Sequence, residues 1–230
     1  MTIANIDCFI ATISRATGPI LTPVSKLGGN PVFAAQLETL YCQSCGQLMD
    51  FIGQFRLDSP LQLSHRFQIA YVFMCPGQSD GHGWLTCETW KAFSGANALL
   101  LQQDDGLALL PDTPARYPDY ELTLQRAPEP DLDVSSFDLA VDEKDQISMA
   151  TKLGGVPAWI QNNDTPCCPC CGETMRFVAQ IDAVPDGYFP EQSTQWHQYH
   201  VFDFGDVGQG YVFICPNDCS SDGAFLWQCH

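Results

Sequence analysis

Apolar positions along this chain recur with the period of strands. In Met49-Asp-Phe-Ile-Gly-Gln-Phe55, Met49, Phe51 and Phe55 fall on one face, and Asp50, Ile52 and Gln54 on the other. That alternation predicts a half-buried strand. Tyr71-Val-Phe-Met74 and Tyr211-Val-Phe-Ile214 are short aromatic and largely β-branched runs, which suit buried strands. Leu-Gly-Gly-x-Pro stands at 27–31 and again at 153–157. It reads as a tight turn, in which paired glycines permit positive φ and proline fixes the exit. Amphipathic helical patterns are scarce. The expected class is mainly β (α+β), with antiparallel strands dominating and some short helix.

The same stretches reveal a repeat. Residues 26–54 align without gaps onto 152–180 at a constant shift of 126, with twelve of 29 positions identical, among them Lys26, Pro31, Cys42, Cys45, Gly46 and Gln54. Tyr71-Val-Phe-Met-Cys-Pro76 matches Tyr211-Val-Phe-Ile-Cys-Pro216 at five of six positions. Trp84-Leu-Thr-Cys87 is paired with Leu226-Trp-Gln-Cys229 as a third anchor. The predicted organisation is an N-terminal segment (1–25), a first repeat (26–110), an acidic proline-rich linker (111–150) and a second repeat (151–230), the two repeats being pseudo-symmetric. Residues 111–146 hold five prolines and ten acidic against three basic residues, a composition that buries little surface. The second repeat also carries an insertion, 183–206, with no equivalent in the first.

The repeat selects cysteines. Cys42-x-x-Cys45-Gly and Cys168-x-x-Cys171-Gly have the spacing of a zinc knuckle, in which two thiolates bind one ion at ~2.3 Å and glycine lets the chain turn around it. Tetrahedral zinc needs four ligands. Cys75 and Cys87 complete the first expected set, Cys215 and Cys229 the second, giving two structural Zn2+ ions. Cys167 and Cys170 fall opposite Tyr41 and Ser44; a shifted register that uses them would misplace the glycine. Cys8 and Cys219 have no counterparts and read as thiols outside the sites. His230 lies beside Cys229 and offers an alternative ligand. Four-thiolate sites are closed, so this zinc would serve folding and not catalysis.

Charge narrows the partners. With 10 Lys+Arg against 27 Asp+Glu, the chain carries a formal charge of −17, a field that repels phosphate backbones and attracts basic protein surfaces. Nucleic acid is not expected as a partner, nor a membrane, since no run approaches ~18 uninterrupted apolar residues. The N-terminus lacks the basic region of a signal peptide. Twelve cysteines are then expected to be thiols in a reducing cytoplasm.

Catalytic motifs are few. His197-x-x-His200, with Asp203 and Asp206 nearby, lies in the insertion and would be the centre of an enzyme if one existed. No nucleophile elbow, phosphate loop or dinucleotide fingerprint is present. Gln54 and Gln180 recur at matched strand positions; such amides usually satisfy backbone groups but can also grip a peptide. With Trp159 and Asp206 they are the binding candidates, although core packing is the default for the tryptophan.

Lys-Leu-Gly-Gly-Val-Pro-Ala-Trp-Ile-Gln161, Cys-Pro-Cys-Cys-Gly172, Met175-Arg-Phe-Val-Ala-Gln180, Gly205-Asp-x-Gly and Tyr211-Val-Phe-Ile-Cys215 resemble the bacterial YwqG-like proteins of unknown function. They are also similar, more distantly, to the eukaryotic programmed-cell-death-two proteins, which Ser64-His-Arg-Phe67 and Cys87-Glu-Thr-Trp-Lys91 echo. The eukaryotic proteins act as chaperones of a basic ribosomal protein, so the resemblance implies protein binding and not chemistry. The expected function is a zinc-stabilised protein-binding module, a chaperone or neutraliser of a basic protein or peptide. The alternatives are an immunity protein against a basic toxin and an enzyme using His197, His200 and Asp206.

Overall fold

The computed structural model describes residues 7–36, 39–77, 87–127, 150–183, 202, 204–205 and 208–229. They form ten strands: β1 (Cys8–Arg15), β2 (Lys26–Leu27), β3 (Asp50–Arg56), β4 (Ile69–Met74), β5 (Asn97–Gln102), β6 (Tyr120–Ala127), β7 (Lys152–Gly154), β8 (Arg176–Asp182), β9 (Gln209–Ile214) and β10 (Asp222–Gln228). Every neighbouring pair is antiparallel, in the order β1-β6-β2-β3-β4-β5-β10-β9-β8-β7, and β7 returns to β1 to close a barrel. No helix occurs among the described residues, so the α part of the expected class is absent there. None of the described elements is a helix long and apolar enough to cross a membrane.

The repeat is written into the barrel. Each copy contributes a four-stranded meander, β2-β3-β4-β5 or β7-β8-β9-β10. The meanders meet directly at β5 and β10, where Leu99 and Leu100 pair with Gly223 and Asp222. On the other side β1 and β6 fill the gap, paired over eight residues. Residues 120–127, inside the stretch expected to be an exposed linker, therefore form β6, and Tyr120 is 1% exposed. The acidic, proline-rich composition masked a period-2 pattern, Tyr120-Glu-Leu-Thr-Leu124, that is sufficient for a strand against a barrel wall. Five strand steps separate β3 from β8 around the barrel, so the two run in opposite directions. Equivalent features of the two copies consequently lie at opposite ends.

The simple alternation expected along 49–55 does not hold. Both β3 and β8 carry a bulge, between Phe51 and Gly53 and between Phe177 and Ala179. The extra residue turns Phe51 outward and Ile52 and Phe55 inward. Ile52 and Val178, at matched positions, are fully buried inside the barrel. Bulges of this kind add local twist and help a sheet close.

Strands β4 and β9 are buried along their whole length because both faces are covered. Ala70, Val72 and Met74 join the barrel interior, while Ile69, Tyr71 and Phe73 pack outward beneath the segment that follows β2. The second copy repeats this with Tyr211 and Phe213. Three side chains bind each arm to the wall. Gln54 accepts from Val32 N–H at 2.9 Å and donates to Val24 C=O at 2.8 Å. Gln180 does the same to Ala158 and Ala150, at 2.9 and 3.2 Å. Gln102 takes the N–H groups of Ala34 and Ala35, and Gln228 those of Ile160 and Gln161, all at 3.0–3.1 Å. Tyr71 and Tyr211 hydroxyls donate to Val32 and Ala158 carbonyls at 3.0 and 2.7 Å. Phe33 over Tyr71 and Phe73, and Trp159 over Tyr211 and Phe213, press the arms down with stacked or tilted rings.

Candidate metal centres

Each arm ends in a knuckle placed just before β3 or β8. Cys42 N–H donates to Gln47 C=O and Gly46 N–H to Cys42 C=O, both at 2.8 Å. Cys168, Glu173 and Gly172 repeat both bonds at 2.8 Å. Gly46 and Gly172 hold φ of 71° and 76°, which a side chain would strain. Because β3 is antiparallel to β4, the knuckle stands beside Cys75, the first residue after β4. Cys215 follows β9 in the same way.

Four thiols meet at each place. Cys42, Cys45, Cys75 and Cys87 form one group, and Cys168, Cys171, Cys215 and Cys219 the other, all sulfurs within 4.8 Å of one another in each. Cys42–Cys87 and Cys45–Cys75 Sγ separations are 3.8 and 3.5 Å. In the second group Cys168–Cys219, Cys171–Cys215 and Cys215–Cys219 are 3.4, 3.6 and 3.3 Å apart. A tetrahedron of sulfurs at ~2.3 Å from a central ion has edges of about 3.8 Å, so the donor sets fit a four-thiolate metal ion. None of the twelve cysteines forms a disulfide. Both groups could hold a metal.

The fourth residue of the second group is Cys219, not Cys229. Strand β10 separates the two, and its seven residues carry the chain ~20 Å along the barrel at ~3.3 Å each. Cys229 instead packs its sulfur against Gly205, where an added Cβ would lie 2.9 Å from it. The matched anchor Leu226-Trp-Gln228 belongs to β10 and corresponds to Leu100-Leu-Gln102, at the same shift of 126 as the knuckles. The true equivalence of Cys87 and Cys219 is positional, both being in the loop between the last two strands of their meander.

The metal-free thiols differ among themselves. Burial pushes Cys42 up, but the backbone amides of Cys45 and Ser44 and the thiols of Cys75 and Cys45 outweigh it and bring it down to about 7. Cys168 is lowered by the same balance, with the amides of Cys171 and Cys170 opposing burial. Burial raises Cys75; the hydrogen bond to Cys215 raises Cys219. In each site the knuckle thus moves one thiol toward the thiolate form that a metal binds. Backbone amides also reach the strand-end sulfurs, Gly77 N to Cys75 and Asn217 N to Cys215, both at 3.4 Å.

The surroundings are unequal. In the first group three thiols are buried and Cys45 is half-buried, whereas Cys171 in the second is exposed and Cys219 half-buried. Cys167 and Cys170 stay outside the second group and are exposed, with Cys170 Sγ 3.8 Å from Cys219 O. Asp218 ties this loop to the other copy, accepting from Ser64 Oγ and His65 N at 2.8 and 2.9 Å.

The remaining candidates separate. Gln54 and Gln180 are fully buried, their amides engaged by the chain's own backbone. Trp159 is packed on Tyr211 and Phe213. His197, His200 and Asp206 lie outside the described residues. The site that sequence reasoning missed is a cleft of about 620 Å³ beside the first knuckle, lined in part by Phe33, Leu40, Leu48, Met49, Leu109 and Leu110.

Fold and site together define a closed antiparallel β-barrel with a four-cysteine group at each end. Among curated proteins, the uncharacterized protein YpfL of Salmonella typhimurium is 36% identical to this chain over 69 residues. The match takes in 29% of this chain and 12% of that protein, so the chain spans only a small part of its relative's length. No family model matches the chain, and the YwqG-like and programmed-cell-death-two resemblances rest on their motifs alone.

Proposed function

We propose that this chain is a zinc-stabilised protein-binding module that receives a basic protein partner in the cytoplasm, as a chaperone or neutraliser does. The observation that carries the reading is the uncompensated acid. The chain has a net charge of −17, and among the described residues five of its ten cations are already engaged by its own carboxylates: Lys26 by Asp119, Arg56 by Asp58 and Asp104, Lys91 by Glu88, Arg116 by Asp50, and Arg126 by Asp7. Among the described residues no Asp or Glu is buried, and an acidic surface accelerates encounter with a basic one. Zinc is the metal favoured by four thiolates in a reducing compartment. A complete thiolate shell leaves no position for substrate, which suits a structural role.

Closure of the barrel restricts how a partner binds. Strand addition needs an open edge, and every strand here has neighbours on both sides along at least part of its length. Side-chain surfaces therefore carry the interaction.

The test is capture of the tagged chain from its native host at low ionic strength, followed by mass spectrometry. The expected result is one basic protein, released as salt rises through ~0.15 M, where the Debye length falls to ~8 Å. Its identity separates a chaperone's client from a toxin. No specific protein under gentle conditions refutes the reading. Elemental analysis is expected to return two zinc ions per chain.

A further inference from the structure

The cleft beside the first knuckle joins three features that no folding role explains. Leu48, Leu109 and Leu110 are 40%, 38% and 45% exposed around it. Such clustered apolar exposure marks an interaction surface more often than scattered single residues do. One wall is the knuckle, which places Leu40, Leu48 and Met49. The other is the irregular segment 107–116, fastened by paired backbone bonds between Phe33 and Leu109 at 2.8 and 2.9 Å. At the lip, Arg116 donates to Asp50 at 2.6 Å, with side-chain exposures of 52% and 16%.

Comparison of the copies isolates these features. At the constant shift of 126, Tyr41 becomes Cys167, Leu48 becomes Thr174 and Asp50 becomes Arg176. Phe33 becomes Trp159, which keeps its place over the tyrosine and phenylalanine beneath it. The packing residue is retained, while the exposed apolar and acidic residues belong to the first copy alone.

We propose that this cleft is the docking site for an extended segment of the basic partner. The segment seats an aliphatic side chain against Leu48, Leu109 and Leu110 and an arginine on Asp50, and Arg116 occupies that acid in the free protein. The proposal rests on the protein-binding reading and assigns it a surface. Charge complementarity selects the occupant: the protein is strongly acidic, and its one cation at the lip is already a guanidinium on a partly buried carboxylate. Burial raises the Asp50 carboxyl while Arg116 lowers it, so the acid is one that benefits from a cation. An incoming arginine on the same carboxylate offers a two-pronged donor that lysine lacks.

Three fluorescein-labelled octapeptides test this by anisotropy at physiological ionic strength: alternating leucine–arginine, glycine–arginine and leucine–glutamate. The leucine–arginine peptide is expected to bind, and the other two to bind at least about tenfold more weakly. Asp50→Asn should weaken the leucine–arginine peptide about tenfold, and Leu110→Glu should abolish its binding. Arg116→Ala should tighten it severalfold by vacating the acid. Each variant is first checked for its metal content and thermal midpoint; Leu48→Ser replaces any variant that fails to fold. Equal binding of the glycine–arginine peptide, indifference to Asp50→Asn and Leu110→Glu, or weakening by Arg116→Ala overturns the proposal. If the Leu110→Glu chain captures the full amount of a basic partner from the host, the cleft is wrong while the protein-binding reading stands. Absence of any partner for the wild-type chain removes that reading, and the peptides then decide the cleft alone.

Discussion

Replacing Cys219 with serine removes one sulfur that stands 3.4 Å from Cys168 and 3.3 Å from Cys215. Structural zinc contributes ~10–16 kcal/mol in four-ligand sites, so one ligand is worth about 3–4 kcal/mol. At ~1.4 kcal/mol per tenfold, this predicts about a 10²–10³-fold loss of affinity at the second centre. Cys170 could move into the empty position, because its sulfur already lies 3.8 Å from the Cys219 carbonyl oxygen. The comparison is therefore made in a Cys170→Ser background. Competition with a colorimetric zinc chelator reads both centres, and native mass spectrometry counts the ions. Cys219→Ser should release one ion at low chelator concentration and leave the other held by Cys42, Cys45, Cys75 and Cys87. Cys229→Ser should release neither. If Cys229→Ser loses an ion, or Cys219→Ser keeps both at unchanged affinity, the assignment of the fourth ligand is wrong.

Gln228→Leu leaves Ile160 and Gln161 N–H without their acceptor; at ~1–3 kcal/mol for each stranded group, partly relieved by water, the cost is about 2 kcal/mol. A thermal melt should show the midpoint lowered by roughly 4–8 °C for a chain of this size. Asp119→Asn leaves the fully buried Lys26 with neutral oxygen acceptors alone and no counter-charge, a change of about 3–5 kcal/mol at neutral pH. Burial already holds the Lys26 amine below 10.5, and Asp119 opposes that shift. Without Asp119 the folded value falls further, so between it and 10.5 the unfolded chain binds the extra proton and stability rises with pH. Chemical denaturation should accordingly show the deficit against wild type shrinking as pH approaches 10; a deficit independent of pH would refute the ion-pair origin. Metal removal should loosen the outer arms before the barrel, since the thiols belong to the outer clusters and not to the interior one. Hydrogen exchange after chelation is predicted to deprotect Cys42 and Cys168 amides first; simultaneous loss across β4 and β9 would show that the metals hold the whole barrel.

Local patterns were legible in the sequence and distant ones were not. The knuckles need only residues two apart and a glycine, so Cys42, Cys45, Cys168 and Cys171 could be read directly. Cys75 and Cys215 were fixed by the strand block they end. The fourth position failed because its loop differs in length: Cys87 lies twelve residues after Cys75, but Cys219 only four after Cys215. Tryptophan, glutamine and cysteine near the C-terminal end of β10 then attracted a false alignment. The pattern Ala98-x-Leu-x-Gln102 against Ala224-x-Leu-x-Gln228 would have set β5 and β10 in register and left Cys219 as the thiol in the matching loop. Strand β6 was hidden by the acids around it, although acid is tolerated on the solvent side of a barrel wall. Barrel closure was not legible at all, because it depends on three short pairings that no local pattern records: β5 with β10 between the copies, and β2 with β6 and β7 with β1 across the strands that fill the gap.

The duplication itself separates what folds the protein from what the protein does. Positions that kept the same residue or the same geometry in both copies hold an arm to the barrel or a thiol beside its partners: Gln54 and Gln180, Tyr71 and Tyr211, Gln102 and Gln228, and the knuckle cysteines. Each makes a hydrogen bond or a thiol contact that would be lost on substitution. Positions that diverged sit on the outer rim of each centre, where their bonds differ between the copies: Asp50 accepts from Arg116, whereas Arg176 donates to the Leu63 carbonyl. The first copy gained leucine, tyrosine and an acid there; the second gained two exposed thiols and an arginine. Because the copies run in opposite directions around the barrel, these rims are at opposite ends. A partner seated at the first end would leave the thiol-rich end free. The two ends of this barrel are thus equivalent in how they are built and different in what they can meet.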